Sequence, residues 1–254
     1  MMKNAVVVGA TTHVGFALCQ ELIKHEVEVS GFEWSGNMDE RAHEMLMEIG
    51  RNAFFQLRVD QPSDKSVGVV YYFLDRMERL DPSKQATILS FAKRAKKLIF
   101  ISSYHTHRKN NEIRTMIKKE QMDSNCISIY LPMVIGPWQE EEEAVHKRLQ
   151  EDANEIDRQP IAIAESDVLY VSDVAKAIFD FSTNEGLQKE VLFKNENEEA
   201  LPELMTILNL TLLKDANLES EEKSITEFVV KQSLTINESL KAQREQMRQK
   251  LKLE

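Results

Sequence analysis

The residues best suited to chemistry stand in a glycine-bearing turn near the N-terminus. A short apolar run, Ala5–Val8, predicts a strand buried on both faces, and the apolar spacing after Phe16 predicts a helix. A helix that begins directly after such a turn presents unpaired amide groups and a positive dipole end to an anion. The turn therefore predicts a pyrophosphate site made of Gly9, Thr11, Thr12, His13, Val14 and Gly15.

An acidic residue, Glu33, ends the second predicted strand, which begins at Val27. In dinucleotide-binding folds a carboxylate at this place accepts hydrogen bonds from the adenosine ribose, and it would repel a 2′-phosphate. We therefore expect NAD rather than NADP as the ligand. The alternative is that Glu33 is a solvated residue at a strand end, in a protein that binds no nucleotide.

A second polar group follows the fifth predicted strand, Lys97–Ile101. Ser103, Tyr104 and His105 stand there, and they are the candidate catalytic residues. Ligands of open α/β sheets bind at the carboxyl ends of the strands, and a histidine can move a proton near neutral pH. His107 follows, but no acidic or cysteine ligand at a suitable spacing accompanies the two histidines, so no metal site is predicted. The alternative is a polar, mobile loop without a chemical role.

Strands that alternate with helices position both groups of residues. As far as Leu131 the sequence predicts six strands, which indicates an α/β fold with a Rossmann-type, doubly wound, mostly parallel sheet. We expect residues 1–132 to form the dinucleotide-binding part and residues 133–254 to form a small C-terminal lobe packed on it. In that lobe the sequence predicts a charged helix over 140–157, a helix capped by Ser172 or Asp173, and one or two helices after residue 224.

Composition and charge indicate which partners and which cell compartment to expect. The chain has 254 residues and a formal net charge of -10. An acidic surface repels nucleic-acid phosphates and anionic lipid, so neither is an expected partner. The apolar runs are too short to span a bilayer, and the N-terminus lacks the pattern of a secretory signal. We therefore expect a cytoplasmic protein without membrane contact, in which Cys19 and Cys126 are thiols packed in the core.

Several segments follow one another in the order found in a known family. They are Val7–Gly15, Ile101–Ser103, Leu131–Pro137, Val168–Ile178 and Val191–Asn195. Through them the chain resembles the extended short-chain dehydrogenase/reductases, the group of NAD-dependent epimerases and dehydratases, from residue 4 to about 210. The resemblance implies that Asp60 lies near adenine, that Ser103 is the catalytic serine and that Pro132 lies beside the nicotinamide.

Three departures from the family pattern bear on function. Thr12 replaces the middle glycine of the turn, and the bulky and acidic segment Phe73–Asp75 replaces small residues beside the cofactor. The family carries a Tyr-x-x-x-Lys pair on the helix after the fifth strand. Here the residues four positions before the two lysines of that helix are Arg114 and Thr115. Neither can replace a phenol as acid and base.

Three functions stay open at this point. The first is an NAD(P)-binding protein with a regulatory or sensor role. The second is an epimerase, dehydratase or reductase with non-standard acid and base residues around Ser103, Tyr104 and His105, acting on an unknown small molecule. The third is a scaffold that binds a protein partner and no cofactor. The resemblance also implies a homodimer, since many relatives form one through a helix pair.

Overall fold

A computed structural model describes residues 2–34, 36, 38–59, 68–75, 82–121, 126–153, 159–184, 189–213 and 225–251. Asp60 lies outside these ranges. The described residues form twelve strands: β1 (Asn4–Val8), β2 (Glu28–Glu33), β3 (Phe55–Val59), β4 (Val69–Phe73), β5 (Lys97–Ser103), β6 (Cys126–Leu131), β7 (Met133–Ile135), β8 (Ile161–Ile163), β9 (Val168–Tyr170), β10 (Glu190–Asn195), β11 (Leu210–Leu212) and β12 (Thr226–Val230).

The same residues form nine helices: α1 (His13–Lys24), α2 (Glu40–Ile49), α3 (Pro82–Ala92), α4 (Tyr104–Lys109), α5 (Asn111–Gln121), α6 (Ala144–Ala153), α7 (Val171–Thr183), α8 (Ala200–Leu208) and α9 (Ile236–Leu251). Two of the predicted helix starts are wrong. The glutamates at 140–143 precede α6 instead of opening it. Neither Ser172 nor Asp173 caps α7, because the helix already begins at Val171 and the Asp173 carboxylate accepts a hydrogen bond from the Ser233 amide at 3.0 Å.

Eight strands build the main sheet, in the order β12-β10-β6-β5-β4-β1-β2-β3. Every ladder between these described strands is parallel. A parallel sheet is covered on both faces, so its central strands are apolar throughout; Val69–Phe73 and Cys126–Leu131 are buried along their full length. The order of strands reverses beside β1, which lies between β2 and β4. The predicted doubly wound sheet is confirmed.

Helices cover both faces of this sheet. On one face α1 and α7 pack against the strands, and Leu18, Cys19 and Ile178 are fully buried there. On the other face Ile88 of α3 and Ile117 of α5 are buried. Burying a side chain of this size stabilises a fold by about 1.5–3 kcal/mol. The cysteine prediction is confirmed, since Cys19 and Cys126 are free, buried thiols.

A small lobe with its own apolar core stands beside the sheet. It consists of α6, α8, α9 and the short parallel pairs β7–β9 and β8–β11, and its core includes Leu149, Leu204 and Leu240. Arg148 crosses this lobe completely buried. Its guanidinium donates to the Glu151 carboxylate at 2.7 Å and to the Gln159 carbonyl at 2.5 Å. These bonds tie α6 to the segment that precedes β8.

The boundary predicted at residue 132 does not coincide with the boundary between the main sheet and the small lobe. The strands Glu190–Asn195 and Thr226–Val230 extend the main sheet next to β6, so the C-terminal half contributes to both parts of the molecule. The prediction of helix immediately after residue 224 is therefore wrong for 226–230, where β-branched and aromatic residues form a strand that pairs with β10. Among the described residues, no helix is both long and apolar enough to cross a bilayer.

Candidate functional site

The turn between β1 and α1 depends on its two glycines. Gly9 has a φ of 86°, in the left-handed region that glycine adopts without steric cost. A Cβ added to Gly15 would collide with the Gly9 carbonyl oxygen and the Thr12 hydroxyl. Gly9 also lies against β4, where an added Cβ would approach the Phe73 Cβ to 3.1 Å. The chain's own packing thus requires both glycines.

Thr12, the departure from the family pattern, caps helix α1. Its hydroxyl donates to the Gly9 carbonyl at 2.8 Å and accepts from the Gly15 amide at 3.0 Å. A threonine at this position satisfies one of the amides that a helix leaves unpaired at its start. The hydroxyl therefore closes the turn on itself and withdraws the Gly15 amide from any ligand.

Two other amides at the start of α1 remain open. The Phe16 amide donates to the Thr12 carbonyl at 2.8 Å. Within the described part of the chain, the amides of His13 and Val14 make no hydrogen bond. Together with the positive end of the helix dipole, these two N–H groups fit a phosphate oxygen. The turn thus keeps a cradle for a pyrophosphate.

Glu33 lies behind the turn and is only 2% exposed. Its carboxylate accepts from the Thr11 hydroxyl at 2.7 Å and the Thr11 amide at 3.3 Å, and from the Trp34 amide at 3.2 Å. The alternative of a solvated strand end is therefore wrong. Glu33 ties the turn to the end of β2, and its contact with a ribose stays a prediction.

Arg41 of α2 reaches the same turn from the other side. Its guanidinium donates to the Thr11 carbonyl at 3.3 Å and to the Trp138 carbonyl at 2.7 Å. It also pairs with the Glu140 carboxylate at 3.2 Å. The side chain of Arg41 is 12% exposed, so this cation joins the turn to the segment that follows β7.

A cleft of about 380 Å³ opens beside the turn, at the point where the strand order reverses. Ligands of doubly wound sheets bind at such a switch point, at the carboxyl ends of the strands. Its walls come from the start of α1, the ends of β4, β5 and β6, and parts of the C-terminal lobe. The lining residues are Thr12, His13, Val14, Phe73, Asp75, Ile101, Ser103, His105, Thr106, Leu131, Pro132, Met133, Val134, Gln139, Glu140, Glu143 and Glu165.

Six residues predicted from the sequence meet in this cleft: Thr12, His13, Val14, Ser103, His105 and Pro132. Gly9, Gly15, Thr11 and Glu33 support the turn from behind and do not line it. The sequence analysis missed the contributions of Glu140, Glu143 and Glu165. The run at 140–143 has the composition of an ordinary solvated helix start, and nothing in the local sequence marks a residue that lines a cavity only through tertiary packing.

Asp75 and Ser103 meet across the ends of β4 and β5. The Ser103 amide donates to the Asp75 carboxylate, at 3.1 Å to one oxygen and 3.3 Å to the other. The Ser103 hydroxyl accepts from the Thr106 amide at 3.3 Å and caps α4. A carboxylate is therefore held in the cleft wall by the Ser103 amide, and His105 lines the same cleft. These groups can accept, donate and move protons.

Tyr104 does not belong to this arrangement. It begins helix α4 rather than standing in a mobile loop, and it is 6% exposed. Its ring lies 6.3 Å from that of Tyr130, and the His107 ring lies 4.1 Å from the same Tyr130 ring, tilted by 38°. The prediction of a loop is therefore wrong. The side chain of Tyr104 packs in the core on the far side of the strand end from the cleft residues Ser103 and His105.

Helix α5, where the resembled family carries its tyrosine and lysine, faces away from the cleft. None of its described residues lines the cavity. Ile117 is buried in the core, and Lys118 and Lys119 are exposed. Arg114 donates to the Arg108 carbonyl at 3.2 Å, which joins α5 to α4. The helix has a packing role in this chain.

His13 is the buried titratable group of the cleft wall. Burial and, to a smaller extent, the nearby Arg41 cation lower the pKa of His13 to about 3, against the opposing effect of a hydrogen bond to the Pro137 carbonyl. The ring is therefore neutral at physiological pH. Its Nε2 has no hydrogen-bond partner among the described residues. Across those residues, no three His, Cys, Asp or Glu side chains converge as a metal site.

Comparisons with known proteins identify the fold. No protein-family model matches the sequence, and no curated protein matches it significantly. The UDP-glucuronic acid 4-epimerase of Bacillus cereus, in complex with UDP-glucuronic acid and NAD, matches with a TM-score of 0.70 and 14% identity, over 97% of this chain and 99% of that chain.

Two further solved structures give the same result. The dTDP-glucose 4,6-dehydratase of Bacillus anthracis, in complex with NAD, matches with a TM-score of 0.67 and 12% identity, over 98% of both chains. The enzyme WbmH of Bordetella bronchiseptica, in complex with NAD+, matches with a TM-score of 0.67 and 11% identity, over 98% of this chain and 99% of that chain. This chain therefore has the fold of the NAD-dependent epimerases and dehydratases that its motifs resemble.

Proposed function

We propose that this chain binds NAD at the turn between β1 and α1 and uses it in a regulatory or sensor role, without tyrosine–lysine hydride chemistry. The observation that carries the proposal is the pair of open amides, His13 and Val14, which border the cleft at the start of α1. Structures that share this fold were determined with NAD bound. When bound, NAD supplies a hydride acceptor.

In this proposal different residues of the chain contact different parts of NAD. The two amides hold the pyrophosphate, because a helix start favours an anion. Glu33 keeps Thr11 and the turn in register with β2 and places a negative charge on the adenosine side. That charge disfavours the 2′-phosphate of NADP. Pro132 and Val134 line the opposite side of the cleft, where the nicotinamide half would lie.

The proposal leaves out tyrosine–lysine hydride chemistry because the described lining of the cleft lacks both residue types. The acid in tyrosine–lysine chemistry is a phenol whose pKa is lowered by a nearby lysine. No tyrosine and no lysine line the cleft among the described residues. The buried Tyr71, Tyr72 and Tyr130 have their pKa values raised by burial, which makes their phenolate forms even less available.

A second function has a specific observation in its favour. Asp75, Ser103 and His105 line one wall of the cleft, and the Asp75 carboxylate is fixed by the Ser103 amide. Such a set could move protons on a small-molecule substrate next to bound NAD, as an epimerase or dehydratase requires. This candidate predicts that the nicotinamide is transiently reduced when a substrate is added, and the sensor role predicts that it is not.

Calorimetric titration with NAD and NADP tests the proposal. We expect saturable binding of NAD and at least about tenfold weaker binding of NADP, because a buried carboxylate opposes the added phosphate. Glu33→Gln keeps an acceptor for Thr11 but removes the charge, so the preference for NAD should fall several-fold. Glu28→Gln, at the exposed opposite end of the same strand, is the matched control.

Thermal unfolding provides a second readout. A ligand that binds only the folded state raises stability by about 2.7 kcal/mol at a hundredfold excess over Kd. No heat of binding and no thermal shift with millimolar NAD would refute the proposal and leave the scaffold function in its place. Screening nucleotide sugars for reduction of the bound nicotinamide then separates the sensor from the enzyme.

A further inference from the structure

The cleft combines a helix start that favours an anion with several carboxylates in its walls. The helix start is that of α1, where the His13 and Val14 amides and the helix dipole favour an anion. The remaining walls carry the carboxylates of Asp75, Glu140, Glu143 and Glu165. No lysine or arginine is among the lining residues that the structure describes, although Arg41 pairs with Glu140 from outside the cleft.

A buried polar atom without a partner lies in the wall of the same cleft. His13 lines the cleft and is only 8% exposed. Its ring nitrogen Nε2 has no hydrogen-bond partner among the described residues. A buried polar atom without a partner is costly in a folded protein.

The strand order decides which half of a dinucleotide meets the acidic walls. Glu33 ends β2 on one side of β1, and Asp75 and Ser103 follow β4 and β5 on the other side. A dinucleotide whose pyrophosphate lies at the start of α1 therefore extends its adenosine toward β2. Its nicotinamide then extends toward the ends of β4, β5 and β6. This placement rests on the proposed function.

We propose that the acidic cleft wall selects the oxidised form of the cofactor, NAD+, over NADH, with Asp75 as a specificity-determining residue. The nicotinamide ring of NAD+ carries a positive charge and that of NADH carries none, whereas both carry the same pyrophosphate. Carboxylates around the ring therefore favour NAD+ alone, and their repulsion of the pyrophosphate cancels in the comparison. The protein would respond to the oxidised fraction of the cofactor.

The test compares the dissociation constants of NAD+ and NADH by calorimetry for the full chain. We expect NADH to bind roughly tenfold more weakly than NAD+, because the carboxylates are partly exposed and solvent screens them. Asp75→Asn is the central variant, since an asparagine still accepts a hydrogen bond from the Ser103 amide. It should reduce the preference for NAD+ by roughly threefold.

Two further variants provide an alternative test and a control. Glu143→Gln removes an exposed charge at the cleft and should reduce the preference even if Asp75→Asn does not fold. Glu28→Gln makes the same change of net charge at the opposite end of β2 and should leave the preference unchanged.

The outcomes separate this inference from the proposed function. If both forms bind and NADH binds as tightly as NAD+, NAD binding stands and the charge selection is wrong. A preference for NAD+ that neither Asp75→Asn nor Glu143→Gln reduces would show that these carboxylates do not determine it. If neither NAD+ nor NADH binds, the proposed function fails and this inference fails with it.

Discussion

Replacing Thr12 by glycine should weaken the fold and strengthen nucleotide binding at the same time. The Thr12 hydroxyl makes two hydrogen bonds, at 2.8 Å to the Gly9 carbonyl and 3.0 Å from the Gly15 amide, and the residue is 9% exposed. Losing a helix cap of this kind costs about 1 kcal/mol, and an added glycine increases the entropy of the unfolded chain. For a chain of this size, we expect Tm to fall by about 2–4 °C.

The gain in binding comes from the amide that the cap releases. In Thr12→Gly the Gly15 amide can donate to a phosphate oxygen, and a hydrogen bond to a charged group contributes about 1.5–3 kcal/mol. Ordering the more flexible turn offsets roughly 1 kcal/mol of this. The net effect is an NAD affinity about tenfold higher than that of the natural chain.

Calorimetry and thermal unfolding measured on the same samples check both signs. Thr12→Ser keeps the hydroxyl and loses only the methyl group, so its affinity should equal that of the natural chain and its stability should change by less than about 0.5 kcal/mol. Thr12→Ala removes the cap but keeps Cβ, which separates the two contributions. A folded Thr12→Gly variant with unchanged or weaker affinity would refute the reasoning that the cap competes with the phosphate.

Two further predictions concern buried polar groups. The pKa of His13 is about 3 in the folded chain, below the ordinary value of 6.5, so the unfolded chain binds the proton first as pH falls. Stability should therefore decrease from about pH 6.5 toward pH 3 by up to about 1.4 kcal/mol per pH unit from this residue. His13→Gln should flatten that slope in urea titrations, with the exposed His43→Gln as the control variant. Arg148→Met should destabilise the C-terminal lobe by about 1.5–3 kcal/mol, because the buried guanidinium no longer bonds the Glu151 carboxylate and the Gln159 carbonyl. A loss under about 1 kcal/mol in denaturant unfolding would contradict it.

Much of the fold can be predicted from the sequence because strong local signals coincide. The apolar run Ala5–Val8 between turn residues predicts a buried strand, and the structure places it at the centre of the sheet. The alternation of such runs with helical spacing predicts the doubly wound sheet. The prediction was wrong at 226–230, where the residues TEFVV are themselves good strand formers and pair with β10 in a parallel ladder.

The glycine-bearing turn was predicted from local sequence, and the tertiary structure decided what its neighbours do. Only the structure shows that Glu33 is buried and accepts hydrogen bonds from Thr11, and its contact with a ribose stays a prediction. Tyr104 was expected beside Ser103 in the site, but its position at the start of α4 turns it into the core against Tyr130. Such outcomes depend on side-chain direction at a strand end, which residue types alone do not specify.

The sequence by itself determined the fold class, the position of the turn and the lack of a tyrosine on α5, because each depends on residue type and local spacing. Only the tertiary structure decided that the cleft is acidic. Asp75, Glu140 and Glu165 stand far apart in the sequence, and they share one cavity because the strand ends converge there and the C-terminal lobe folds back over them. A charge pattern made by contacts between distant segments has no local signal, and in this chain it is the feature that bears on which ligand binds.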